Sequence, residues 1–94
     1  MHVRVVRFDE VDPERVAQLA DRISESDGPP PGVEATGTTL LHDPAQRTVV
    51  VLQRFASAQT MASSEAVLDG IDSSETPGRR LSVDRCEVLV DLDV

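Results

Sequence analysis

The residues of this chain best equipped for chemistry stand in two short stretches: Arg4 within HVRVVRF, and Gln53, Arg54 and Phe55 at the end of TVVVLQRF. A guanidinium set in an apolar strand can hold and polarise an oxygen or a carboxylate where little water competes. The Gln53 amide offers a donor and an acceptor, and the Phe55 ring a face on which an aromatic molecule can stack. Successive side chains of a strand point to opposite faces, so Gln53 and Arg54 cannot both line one site. Arg79 and Arg80, which follow TPG, are placed to receive an anion at a cavity mouth.

Each of these has a plainer alternative. Arg4 can pair with one of the 17 acidic residues. Phe55 can be core, and its truncation then costs about 3–5 kcal/mol whether or not a ligand exists. Arg79 and Arg80 can pair with the acidic C-terminal strand of a second copy. Cys86, set among Val83, Val88 and Val90, reads as a buried, inert thiol. His42 precedes a turn and His2 lies at the terminus, so the two histidines form no metal site. Asp91 and Asp93 share a strand face but are expected in solvent. Gly28, Gly32 and Gly37 lack the strand-to-helix setting of a phosphate loop. Neither a metal nor a cofactor is expected.

Composition narrows the classes further. A chain of 94 residues makes one domain, residues 1–94, and a net charge of −8 repels both a phosphate backbone and an anionic membrane. All nine basic residues are Arg, which removes Schiff-base chemistry and leaves planar forks suited to carboxylates. One cysteine makes no internal disulfide, and no run approaches the ~18 apolar residues of a membrane span. With no signal-like stretch at the start, a cytoplasmic protein is expected.

The elements that position these residues follow from pattern. Residues 2–8 alternate as a strand, with His2, Arg4, Val6 and Phe8 on one side. Asp12 and Pro13 open a helix whose Val16, Leu19, Ala20 and Ile23 share a face, and DGPPPG ends it. Residues 33–42 and 47–56 form a hairpin around DPAQ. Ser57 caps a second helix with Met61, Leu68 and Ile71 on one face and Val67 beside it, ending near Gly70. DSSETPGRR is a loop, and residues 81–94 a fourth strand. The order βαββαβ is that of a ferredoxin-like α+β fold: an antiparallel sheet with both helices on one face.

Strands one and three carry apolar residues on both faces, yet two helices cover only one. A second copy of the same sheet is the simplest cover, which predicts a homodimer. Between two such sheets a cavity can persist, with Arg4, Gln53 or Arg54 at its wall.

The stretch VVVLQRFASAQTMASSEAVL, residues 49–68, resembles the third strand and following helix of the antibiotic biosynthesis monooxygenase-like family of dimeric α+β barrels. Phe55 takes the place of the family's strand-ending aromatic and Ser57 that of the Ser two positions later. The resemblance covers nearly all of the chain. It implies a dimeric α+β barrel that binds a small apolar or aromatic molecule, with Arg4, Gln53 and Phe55 as ligand-binding candidates. It further implies cofactor-independent oxygenation of that molecule. The family's Asn, Trp and Tyr are absent, and the His expected near the second helix of its haem-degrading branch has no counterpart. A carrier or structural dimer with a closed barrel interior is therefore the competing reading.

Overall fold

Alternation along HVRVVRF decides which way the sheet faces. In the computed structural model, which describes residues 1–26, 28–29, 31–70 and 76–93, this segment is β1 (His2–Asp9), one of the two inner strands of the sheet. It is followed by α1 (Pro13–Glu25), β2 (Gly37–Asp43), β3 (Thr48–Phe55), α2 (Ala58–Asp69) and β4 (Arg79–Glu87). The strands lie in the order β2-β3-β1-β4 and every pair is antiparallel, the ferredoxin-like arrangement.

Arg4, Val6 and Phe8 of β1 are buried under the helices, while Arg7 on the other side is exposed. Two apolar clusters bind helices to sheet. Val6, Phe8, Val11, Val16 and Val49 form the first, beneath α1; Val33, Phe55, Met61 and Leu68 form the second, beneath α2. Each such side chain fully buried contributes about 1.5–3 kcal/mol.

Both helix starts follow from their caps. Asp12 Oδ1 accepts a hydrogen bond from the Glu14 amide at 2.9 Å, and Pro13 takes the first helical position. Ser57 and Thr60 form a reciprocal capping box at α2. Ser64, wholly buried, donates from its hydroxyl to the Thr60 carbonyl at 2.8 Å and accepts from the Glu34 amide at 2.9 Å. That contact explains why β2 starts at Gly37 and not at Val33. Residues 33–35 are tied to α2, with Val33 in its apolar cluster. Ile71, expected on the buried face of α2, lies outside the described residues.

The last strand differs from expectation at both ends. It starts at Arg79, so Arg79 and Arg80 are strand residues and not part of a loop. A bulge sets Arg80 opposite Phe8 and Ser82 opposite Arg7, leaving Leu81 without a partner. The strand stops at Glu87 because β1 begins at His2, the residue opposite Glu87. Only the Val88 amide, donating to the Met1 carbonyl at 3.0 Å, extends the pairing. Leu89 beyond it is 84% exposed, and Val90 and Leu92 are similarly open. Cys86 is exposed, not buried: it sits opposite Val3 on the sheet face that no helix covers, in an edge strand.

Two non-glycine residues adopt left-handed backbone, Glu10 (φ 50) and Arg47 (φ 55). Arg47 closes the β2–β3 hairpin, its amide donating to the Pro44 carbonyl at 3.3 Å. Its side chain is exposed, so the strain is not offset by packing. Arg47→Gly is expected to raise stability by about 0.5–1 kcal/mol, the left-handed penalty less the glycine's greater unfolded-state entropy. An unchanged or lowered urea midpoint would contradict this.

Candidate functional site

Along β3 the first cluster takes Val49 and the second Phe55, and the strip between them, Val51 and Gln53, is only half buried. Over that strip lies a cavity of about 550 Å³. β1 contributes Arg4, Val6 and Phe8, α1 contributes Leu19 and Ile23, and β2 contributes Thr38. Leu68 and Asp69 come from α2, and Arg80 from β4. The cavity therefore lies between the sheet and its helices. Sequence reasoning expected it between two facing sheets; it forms on the helix side because α1 and α2 pack over different ends of β3.

The wall is mainly apolar; Arg22 of α1, Ser26, Thr36 and Thr38 line it as well, while Gln53, Asp69 and Arg80 gather at Arg4. Arg4 is 4% exposed and stands directly opposite Gln53 in the β1–β3 register. Its Nη1 donates to Gln53 Oε1 at 3.1 Å and its Nη2 to Asp69 Oδ1 at 3.1 Å. Its Nε lies 3.9 Å from Glu65 Oε1 and makes no hydrogen bond. Arg80 donates to Asp69 Oδ1 at 3.5 Å, and Arg85 to Glu65 Oε1.

Burial pushes the Arg4 guanidinium below its ordinary pKa, and Asp69 and then Glu65 oppose that shift. A guanidinium starts so high that it keeps its charge. Gln53 spends its carbonyl oxygen on Arg4, and its NH2 group remains a donor for a ligand. The arrangement suits a small molecule with an apolar body and an oxygen that carries or develops negative charge.

Arg4 and Gln53 thus share one site. Phe55 does not line it: the ring is fully buried in the second cluster, behind Val33 and Leu68, which do line it. Arg54 points to the other sheet face, where its Nη1 donates to Thr39 Oγ1 at 2.8 Å. Arg79 is turned away to Asp9, and its guanidinium holds that carboxyl below the usual range. Glu65 and Asp69 were not anticipated. Their spacing of four along α2 puts two carboxylates on one helical face, which is the one sequence signal that could have found them.

Among the described residues no group of three or more His, Cys, Asp or Glu is placed to hold a metal ion. Nor is any described helix long and apolar enough to cross a membrane.

No protein-family model matches the sequence, and no curated protein does. Solved structures do resemble it. A candidate antibiotic biosynthesis monooxygenase from Chloroflexus aurantiacus J-10-fl superposes with a TM-score of 0.63 at 13% identity, covering 98% of this chain and 96% of that one. The R26S mutant of MhuD, with two manganese protoporphyrin IX bound per active site, gives 0.62 at 13% identity over the whole of both chains. Rv0793 from Mycobacterium tuberculosis gives 0.59 at 13% identity, covering 98% of each. The fold is the one that the sequence resemblance implied.

Proposed function

We propose that the chain works as a homodimer whose cavities each bind a small apolar or aromatic molecule through an oxygen held by Arg4 and Gln53, and that it acts as a cofactor-independent monooxygenase. The observation that carries this is the buried guanidinium of Arg4, hydrogen-bonded to Gln53, in the wall of a mainly apolar cavity. Phe55 serves the site from behind, by fixing Val33 and Leu68. Pairing is supported by the uncovered sheet face with Val3, Val5, Val50 and Leu52, and by the exposed Leu89, Val90 and Leu92 of the tail. A reducing cytoplasm suits the single exposed thiol.

For an anthrone-type substrate the chemistry balances without a cofactor. Loss of one proton gives the enolate, whose oxygen Arg4 and Gln53 stabilise. The enolate reduces O2; the ring CH2 becomes C=O with one oxygen atom, and the other atom leaves as water with both hydrogens. All four electrons come from the substrate. A haem does not fit this site, since the described lining has no His, Cys, Met or Tyr to ligate iron.

The absence of Trp, Tyr and Asn favours a second reading, a ligand carrier with no chemistry. One set of measurements separates them. Native mass spectrometry is expected to show a dimer, and anthrone turnover to need air, with one O2 consumed per product. Arg4→Gln should then lower the aerobic rate by about a hundredfold, the usual loss for an oxyanion-stabilising donor. Equal conversion under air and nitrogen would leave only the carrier, and a monomer at micromolar concentration would remove the pairing.

A further inference from the structure

Among the described residues three guanidiniums, those of Arg4, Arg80 and Arg85, meet two carboxylates, Asp69 and Glu65, beside the cavity. Asp69 Oδ1 is shared: Arg4 reaches it at 3.1 Å and Arg80 at 3.5 Å. Glu65 takes Arg85, and Arg4 Nε is left buried without a hydrogen-bond acceptor.

Of the three, Arg80 is the most weakly held: its contact among the described residues is long and goes to an oxygen that Arg4 already engages. Half of its side chain is exposed, and it lines the cavity, so it marks the mouth as Arg4 marks the interior. Arg79 beside it is fully engaged, with two bonds to the Asp9 carboxylate at 2.9 and 2.7 Å. One guanidinium of the adjacent pair is thus used by the fold, and the other is presented to the cavity.

We propose that the ligand is an organic carboxylate, with an aromatic or apolar body against Phe8, Leu19, Ile23 and Val51 and its carboxylate received by Arg80. A planar fork meets a carboxylate through two parallel N–H···O bonds, and a monoanion sets less negative charge beside Asp69 than a phosphate dianion would. The proposal rests on the reading of the cavity as a ligand site and assigns the ligand's class. Asp69 competes with the ligand for Arg80, so the site is tuned against anions until one with a fitting body displaces that weak contact.

The test compares 2-naphthoate with its neutral amide, 2-naphthamide, by calorimetric titration of the intact protein. The carboxylate is expected to bind at least tenfold more tightly, as one charge-assisted contact warrants. Arg80 is half exposed, so Arg80→Gln should fold, and it should bring the two affinities together. Asp69→Asn frees Arg80 and should tighten naphthoate binding about tenfold, a larger gain than for the amide. Equal binding of the two probes to the unaltered protein would overturn the carboxylate assignment and leave the cavity reading standing. A preference that survives Arg80→Gln would overturn it as well. Binding of neither probe would overturn both.

Discussion

Replacing Arg4 with Met will destabilise the protein by about 2–3 kcal/mol, although Met fills most of the volume of the arginine stem and carries no buried charge. Removing one partner of a fully buried pair typically costs about 3–5 kcal/mol, because the other charge is stranded. Here the loss is smaller. Asp69 is half exposed and keeps Arg80, and Glu65 keeps Arg85. What is stranded outright, among the described residues, is the side-chain oxygen of Gln53, whose donor is Arg4. Arg4→Lys should recover little, since a point charge cannot reach Gln53, Asp69 and Glu65 together. The measurement is the shift in urea midpoint, taken with Asp69→Asn alone and in combination. The double variant should cost less than the sum of the singles, by at least about 0.5 kcal/mol, because the two groups share one contact. An Arg4→Met protein as stable as the parent would mean that the cluster does not hold the fold, and that Arg4 is there for the ligand alone.

That cluster also marks the limit of what the amino-acid sequence discloses. Local signals were complete at the helix starts, where Asp12-Pro13 and Ser57 carry their capping chemistry within a few residues. Alternation placed Arg4 with Val6 and Phe8, and set Gln53 and Arg54 on opposite faces, because a strand's period is two wherever it is regular. The partners of Arg4 were not legible in the same way. Gln53 and Asp69 lie 49 and 65 residues away and meet Arg4 only through the β1–β3 register and the packing of α2. The ends of β4 were misread for a similar reason. Residues 81–94 alternate throughout, but a strand extends only as far as its partner does, and β1 runs out at His2. The same ignorance of the partner hid the exposure of Cys86: its apolar neighbours suggested burial, while the uncovered face of an edge strand decides it. The cavity fell on the other side of the sheet from its expected place because sequence patterning reveals which residues share a face, not where two helices leave a gap over it.

Phe55→Ala should be the most damaging single truncation, at about 3–5 kcal/mol. The ring is wholly buried among Val33, Met61 and Leu68. Domains of this size hold roughly 5–10 kcal/mol in total, so the variant would be close to unfolding at room temperature. Its affinity for ligand would then report mainly on the unfolded fraction, which makes Phe55→Leu the more informative change. Leucine keeps most of the contacts and should cost about 1–2 kcal/mol. If the ring only supports the second cluster, ligand affinity should stay within about twofold, because Val33 and Leu68 stand between it and the cavity. If instead Leu68 shifts on binding and the ring meets the ligand, affinity should fall tenfold while the urea midpoint hardly moves. The two outcomes differ in which quantity changes and not only in size. Measured on one purified variant, they separate a residue that holds the wall from one that is the wall.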